Sequence, residues 1–200
     1  MNDTNVETAL DMVKTGWEKY IFPALSLVYQ LDYQNDVNFD ETPSRIAKAL
    51  ILEKCRGINP RKEIKEILSK TFPTNYTGLI KVGPIDAYGV CPHHFETVSY
   101  KATFGYMPKT GGHAVGLSKI PRMIKLLAKA PILQEDLTTK IVDYFVEFLE
   151  PEGCGVIVKG QHGCMLCRGV ETSSECWVVT SAVRGIFETC STIKSEFLKL

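Results

Sequence analysis

The sequence predicts an α+β domain in which helices pack on one face of a mainly antiparallel sheet. Three observations support this fold class. Residues 97–106 alternate apolar and polar side chains, as a half-buried antiparallel strand does. Apolar residues at helical spacing follow Ser118 and recur after Gln134. Strand-like stretches, residues 78–90 and 156–164, lie on either side of these segments.

The composition limits the classes of protein that this chain can belong to. Its 200 residues suffice for a buried core, and 44% of them are apolar. A formal net charge of zero argues against nucleic-acid binding. The sequence has neither a signal peptide nor an apolar run long enough for a membrane span. Seven cysteines, an odd number, predict reduced thiols and a cytoplasmic location.

The N-terminal part is predicted to be a helical extension over residues 1–40, followed by the main domain over residues 41–200. A capping box at Thr4 starts a helix that should run to about Phe22, where Pro23 stops or kinks it. The next helix is predicted to start with Thr42 as N-cap.

The remaining elements follow from the same start, stop and period signals. In order they are a helix opened by Asn59-Pro60, a strand over residues 78–90 broken at Gly83-Pro84, the strand over residues 97–106, a turn over residues 108–113, a helix from Ser118 to Pro131, a helix from Gln134 to Pro151, strands over residues 156–164 and 177–180, and a short helix from Ser191.

Two short stretches carry the residue types that bind metals. Residues 91–94 read Cys-Pro-His-His, and residues 161–164 read Gln-His-Gly-Cys. A Cys-x-x-His turn offers a thiolate and an imidazole at the spacing with which one tight turn holds zinc, and a distant Cys or His usually closes the site. Three of the four histidines lie in these two stretches. The pattern therefore indicates a zinc site.

Strand period makes Cys164 the best candidate to close this site. In a strand that includes both residues, His162 and Cys164 point to the same face. Three ligands, Cys91, His94 and Cys164, would leave one tetrahedral position for water, which is typical of a catalytic zinc. His93 and His162 would then lie beside the metal without binding it. Histidine suits proton transfer near neutral pH.

Two other interpretations remain open. Residues 164–167 form a Cys-x-x-Cys segment, so Cys167 could complete a closed structural site with Cys91, His94 and Cys164. A continuing strand would point Cys164 and Cys167 to opposite faces, which disfavours that site. Alternatively, the cysteines are ordinary buried thiols that bind no metal.

Basic residues form two pairs along the chain. Ser118 is the predicted N-cap of its helix, and Lys119 and Arg122 lie in the first turn, where cations oppose the helix dipole. Free backbone N–H groups combined with two cations suit a phosphate, so we predict an anion site there. Arg45 and Lys48 share one face of their helix, which by itself is typical of a solvated surface.

Taken together, the motifs resemble those of the GTP cyclohydrolase I family from about Thr42 to the end of the chain. Each motif alone is weak, but their order and spacing are specific. They are Thr42-Pro43-Ser44-Arg45 with Ala47-Lys48, the Cys-x-His-His turn, Gly116-Leu117-Ser118-Lys119 with Arg122, Gln134-Glu135, and His162-x-Cys164-Met165 with Arg168-Gly169.

The resemblance implies a zinc enzyme that opens the imidazole ring of GTP, releases formate and forms 7,8-dihydroneopterin triphosphate. This reaction begins folate, biopterin and 7-deazaguanine biosynthesis in the family. The resemblance also implies the tunnelling fold, assembled as a homodecamer with active sites between subunits. Position by position it implies Zn²⁺ on Cys91, His94 and Cys164, proton transfer by His93 and His162, triphosphate binding by Ser118, Lys119, Arg122, Arg168 and a neighbouring subunit's Arg45 and Lys48, and guanine binding at Gln134 and Glu135.

One departure from the family pattern concerns the metal turn. The family usually has Glu where this chain has Pro92, and proline supplies neither charge nor a hydrogen-bond donor. A relative acting on another purine or pterin is therefore a second hypothesis. A zinc-stabilised binding protein without catalysis is a third, and it would require four protein ligands on the metal.

Overall fold

The structure is a computed structural model that describes residues 3–199. The chain divides into two compact units, Met1–Arg56 and Gly57–Leu200. The domain boundary predicted after residue 40 lies inside the first unit. Across the described residues, no helix combines the length and the apolar character that crossing a membrane requires.

The first unit consists of helical segments around a small aromatic cluster. In order, the segments are α1 (Asp3–Gly16), a π-helical segment (Trp17–Ile21), α2 (Phe22–Tyr29), a 3₁₀ turn (Val37–Phe39), α3 (Thr42–Lys48) and a second π-helical segment (Ala49–Lys54). The buried Phe22 ring contacts the rings of Trp17, Tyr33 and Phe39, with centroid distances of 5.5, 5.0 and 5.6 Å.

Two predicted helix ends in this unit were wrong. Pro23 does not end the N-terminal helical region, because it lies in the first turn of α2, where its missing N–H costs no hydrogen bond. The helix therefore reaches Tyr29. α3 starts one residue earlier than predicted, so that Glu41 is the N-cap residue and Thr42 is inside the helix. The Thr42 hydroxyl donates to the Asn38 carbonyl at 3.3 Å.

The second unit contains the sheets and the remaining helices. In order, its elements are α4 (Arg61–Leu68), β1 (Thr71–Pro73), β2 (Ile80–Val90), β3 (Thr97–Met107), β4 (His113–Val115), α5 (Lys119–Ala128), α6 (Gln134–Leu149), β5 (Gly153–His162), α7 (Gly163–Leu166), β6 (Val178–Gly185), α8 (Ile186–Thr189) and α9 (Ser191–Leu198). The predicted α+β class is confirmed.

The main sheet is antiparallel, with strand order β2-β3-β5-β6. The alternation over β3 buries the predicted face, from Val98 through Tyr106, and α5 and α6 supply the apolar residues that cover it. A smaller cluster made by Ile157, Phe187 and Phe197 packs separately. Through this cluster, the short C-terminal helices α8 and α9 pack on the sheet. The sequence predicted a short helix from Ser191 but not this packing.

The structure differs from the sequence predictions at the end of β5. The strand stops at His162, and α7 begins at the next residue. The predicted strand through Cys164 was therefore wrong, because Gly163 starts a helical turn there. The short strands β1 and β4, which pair with each other, were also missed. Strands of three residues are too short to show a period of two.

Candidate metal centre and substrate site

The Cys-Pro-His-His segment forms a tight turn at the end of β2. The Phe95 N–H donates to the Cys91 carbonyl at 2.9 Å, and the Cys91 N–H donates to the Glu96 carbonyl at 2.9 Å. Phe95 has a φ of 56°, an uncommon value for an aromatic residue, and this lets the chain reverse into β3. Cys91 is buried, whereas His93 and His94 are exposed.

The end of β5 lies next to this turn because β3 pairs with both β2 and β5. Val98, near the start of β3, pairs with His162. The helical turn α7 then brings Cys164 back toward Cys91. The ligand atoms of Cys91, His162 and Cys164 all lie within 4.8 Å of one another. Two thiols and one imidazole are a donor set that fits zinc.

The ligand group differs in one member from the predicted set. Within the described chain, His162 rather than His94 stands with the two cysteines. His93 lies close by, with Nδ1 3.8 Å from Cys91 Sγ. The His93 and His94 ring centroids are 6.5 Å apart. Cys167 is exposed and lies outside the group that the described residues form, and this disfavours the closed four-ligand site.

Gln134 contacts the His162 ring through its side-chain amide. Its side chain is 1% exposed at the start of α6. Its Nε2 group donates to the carbonyls of Val158 and Val178 at 3.1 and 3.0 Å, and to Thr180 Oγ1 at 3.1 Å. These acceptors identify the amide orientation, so Oε1 is the atom that faces His162 Nε2 at 2.9 Å.

This contact selects one tautomer of His162. An amide oxygen only accepts hydrogen bonds, so the Nε2 atom must carry the hydrogen. In the neutral ring, Nδ1 then has the free lone pair. That atom is therefore the one that can bind a metal or accept a proton.

Burial controls the electrostatics of the group. It lowers the pKa of His162, and the nearby Glu135 carboxylate partly opposes this effect. Burial also raises the pKa of the Cys164 thiol, with a further increase from neighbouring Cys91 and a decrease from Arg168. A bound cation would favour the Cys164 thiolate and reverse this increase in its pKa.

The predicted substrate-binding residues lie on several elements. Ser118 is the N-cap residue of α5, as predicted, and Lys119 and Arg122 occupy its first turn. Glu135 lies in the first turn of α6 and is exposed, and Arg168 follows α7 and is also exposed.

The other predicted cations belong to the first unit. Arg45 and Lys48 lie on α3. Arg45 pairs with Glu41 at 2.9 Å, and both side chains are exposed.

Two residues of the site were missed at the sequence level. Tyr100 fitted the buried face of a strand, so nothing in the pattern separated it from the core. Gly160 carried no motif, yet a Cβ atom built there would overlap Gln134 Oε1. Glycine at this position therefore makes room for the amide that contacts His162.

Comparisons with known proteins agree with the motifs. The sequence profile described as GTP cyclohydrolase I matches residues 26–200. The chain is 38% identical to GTP cyclohydrolase 1 from Thermobifida fusca over 160 residues, which are 80% of this chain and 75% of the relative. It is also 38% identical to the Halalkalibacterium halodurans enzyme over 161 residues, and 38% identical to the Bacillus subtilis enzyme over 159 residues. These matches span 80% of this chain, with 83% and 81% of the respective relatives covered.

Proposed function

Because the chain belongs to the GTP cyclohydrolase I family, we propose that it hydrolyses GTP at carbon 8 of the guanine. The products would be formate and 7,8-dihydroneopterin triphosphate. The observation that carries the proposal is the convergence of Cys91, Cys164 and His162 where β2 and β5 end. We assign catalysis to residues 41–200 and treat residues 1–40 as a helical extension, because the recognisable motifs start at Thr42.

We propose Zn²⁺ as the metal, with Cys91, His94 and Cys164 as its ligands. The two thiols already converge, and His94 lies in the same turn as Cys91 with an exposed side chain. The alternative third ligand is His162, whose ring is held by Gln134. A zinc ion held there supplies Lewis acidity, which activates water near neutral pH.

The chain's own residues would move the protons. The lowered pKa of His162 keeps its ring neutral near pH 7, so Nδ1 can accept a proton. We assign proton transfer to His162 and His93. Gln134 serves the site by orienting His162. A direct contact between Gln134 and the substrate remains a prediction, and it would use the second lone pair of Oε1.

Cations and one carboxylate would hold the substrate. Ser118, Lys119 and Arg122 place a hydroxyl and two charges at the N-terminus of the ten-residue helix α5, a favourable position for phosphate. Arg168 would add a further charge. We assign Arg45 and Lys48 to the triphosphate bound by a neighbouring subunit. Glu135 would accept hydrogen bonds from the ring N–H and amine of guanine, because a carboxylate accepts but does not donate.

We also propose a homo-oligomer, a decamer as the resemblance implies, in the cytoplasm. Large apolar side chains are exposed on α2, where Leu27 is 86% exposed. Others lie on the edge strands of the main sheet, at Tyr88 on β2 and Val179 on β6. All seven cysteines are free thiols, which suits a reducing compartment.

The first test assays the zinc-loaded protein with GTP for formate and for a fluorescent pterin after oxidation. Both products are expected. Formate without pterin would mean that the ring opens but the product does not reclose. Neither product, from protein that holds zinc and binds GTP, would favour a different purine or pterin as substrate, a hypothesis motivated by Pro92.

A second test separates the two ligand sets. His94→Ala is expected to lose zinc, whereas His162→Ala keeps zinc and loses turnover. Metal content is measured by atomic emission on the purified variants. Zinc loss in His162→Ala with zinc retained in His94→Ala would make His162 the third ligand and reverse the two assignments.

A further inference from the structure

The Tyr100 hydroxyl is a buried polar group that the proposed mechanism does not use. Tyr100 is 1% exposed on β3, and its oxygen has no hydrogen-bond partner among residues 3–199. A buried hydroxyl without a partner costs about 1–3 kcal/mol. Such a group indicates strain, a catalytic role or an absent ligand.

The protein makes specific room for this ring. Tyr100 lies on β3 between β2 and β5, where its register partners are Ala87 and Gly160. A Cβ atom built on Gly89 would lie 2.9 Å from Tyr100 Cε2, and one built on Gly160 would lie 3.1 Å from Cδ1. Any larger residue at either position would crowd the ring. The two glycines thus make room for this ring together with the still closer Ala128 carbonyl at Gly89 and Gln134 amide at Gly160.

The ring belongs to the same constellation as His162. The two ring centroids are 6.3 Å apart and the rings are nearly perpendicular, at 89°. Gly160 also makes room for the Gln134 amide that bonds His162. Burial raises the pKa of Tyr100, and the charges of Cys91 and Glu135 raise it further. The hydroxyl therefore stays protonated at neutral pH.

The order of these groups matches the order of atoms along one edge of guanine. In the proposed function, Glu135 holds the ring N–H and the amine, while carbon 8 lies toward the cysteine thiols. The two guanine atoms between these points, O6 and N7, are both hydrogen-bond acceptors. The Tyr100 ring lies against Gly89, two residues before Cys91, and against Gly160, which contacts the Gln134 amide beside Glu135. Its phenol is therefore the buried donor on the side of the site that this edge would face.

We propose that the Tyr100 hydroxyl donates a hydrogen bond to the O6/N7 edge of guanine and so helps select the base. This inference rests on the proposed function and adds a specificity-determining residue to it. The hydrogen bond would satisfy the one orphaned hydroxyl that the described residues contain. It also explains why the unbound protein keeps a tyrosine where phenylalanine would pack equally well.

The test compares Tyr100→Phe with a matched control, Tyr106→Phe, on the same face of β3. Tyr100→Phe is expected to lower kcat/KM for GTP about tenfold, the value of one hydrogen bond in a dry site. Tyr106→Phe is expected to leave kcat/KM unchanged, because its hydroxyl accepts from the Val115 N–H at 3.1 Å. Thermal melting shows that both variants are folded.

Two analogues identify the acceptor. In 6-thio-GTP a sulfur replaces O6, and in 7-deaza-GTP a C–H group replaces N7. If Tyr100 bonds O6, Tyr100→Phe leaves kcat/KM for 6-thio-GTP unchanged but weakens 7-deaza-GTP binding about tenfold in equilibrium dialysis. If it bonds N7, Tyr100→Phe lowers kcat/KM for 6-thio-GTP about tenfold and leaves the binding of 7-deaza-GTP unchanged.

Three outcomes would overturn the inference. Tyr100→Phe could use GTP as well as the wild-type protein does, or it could lose the same factor for GTP and both analogues. Either result would leave the proposed function standing. A wild-type protein that neither converts GTP nor binds 7-deaza-GTP would remove the proposed function and this inference with it.

Discussion

The two ends of the β3–β5 ladder use the same residue types for different purposes. At one end, Tyr106 pairs with Cys154, and both are buried. The Tyr106 hydroxyl accepts a hydrogen bond from Val115, and the ring packs against Phe145 at 5.0 Å. At the other end, Tyr100 is equally buried but has no partner for its hydroxyl within residues 3–199.

The cysteines show the same contrast. Cys154 is enclosed by the core, and burial raises the pKa of its thiol to about 12, so the thiol stays neutral. Cys164, a few residues beyond the opposite end of the strand, lies with Cys91 and His162. In the core, buried polar groups have hydrogen-bond partners, whereas at the site several polar groups without such partners lie close together. The difference teaches that burial alone does not separate the two.

The largest expected effect comes from removing a thiol at the metal end. Cys91→Ser and Cys164→Ser should each lose bound zinc and lower turnover by at least about 10³-fold, because the Lewis acid is lost. Cys154→Ala is the control and should keep its zinc. Metal analysis and formate release measure both effects. Full zinc occupancy in Cys91→Ser would remove Cys91 from the ligand set.

The next effect concerns the Gln134 amide. Gln134→Leu should lower the free energy of unfolding by about 2–4 kcal/mol, because the carbonyls of Val158 and Val178 lose their donor. Turnover should also fall about 10-fold to 100-fold, since His162 loses its orienting partner. Urea unfolding and formate release measure the two losses.

The control for this variant is Gln161→Leu. The Gln161 amide donates to the Ser174 carbonyl near the surface, so its loss should cost within about 0.5 kcal/mol. Equal stability of the two variants would show that the Gln134 network does not contribute as its geometry indicates.

The pH dependence of stability should report on the buried Cys154 thiol. The Cys154 pKa is raised from 9.0 to about 12 in the folded protein, so the unfolded chain loses its proton first. Stability from this group is complete below pH 9 and falls as the pH rises toward 12, by about 2–3 kcal/mol at pH 11. Cys154→Ala should lack this loss. Unfolding in urea at pH 8, 10 and 11 tests it, and parallel pH dependence of the two proteins would contradict the assignment.

The smallest effect separates the two tyrosines directly. Tyr106→Phe should lower the free energy of unfolding by about 1 kcal/mol, because the buried Val115 N–H loses its acceptor. Tyr100→Phe should instead raise the free energy of unfolding by about 1 kcal/mol, since it removes a buried hydroxyl that has no partner in the described chain. Chemical denaturation of both variants without substrate provides the comparison. A larger loss for Tyr100→Phe would mean that its hydroxyl stabilises the unbound fold.

Much of the fold was predictable because its signals are local. The alternation over β3 and the capping position of Ser118 were predicted from residues adjacent in sequence, and both are confirmed. Family membership and the tunnelling fold are confirmed by the profile match over residues 26–200. The end of β5 was mispredicted because Gly163 permits either a strand or a turn, and packing against β3 decided between them.

The sequence by itself determined which chemical groups the protein can use. Cys91 and Cys164 were chosen from their types and spacing, and the structure brings them together. Only the tertiary structure decided how His162 is held and that Tyr100 lacks a partner. Both facts depend on which groups pack around each side chain in space, such as Gln134 at His162 and Gly160 at the Tyr100 ring. Hydrogen-bond satisfaction in a core is a property of neighbours in space, and a periodic pattern in sequence does not encode it.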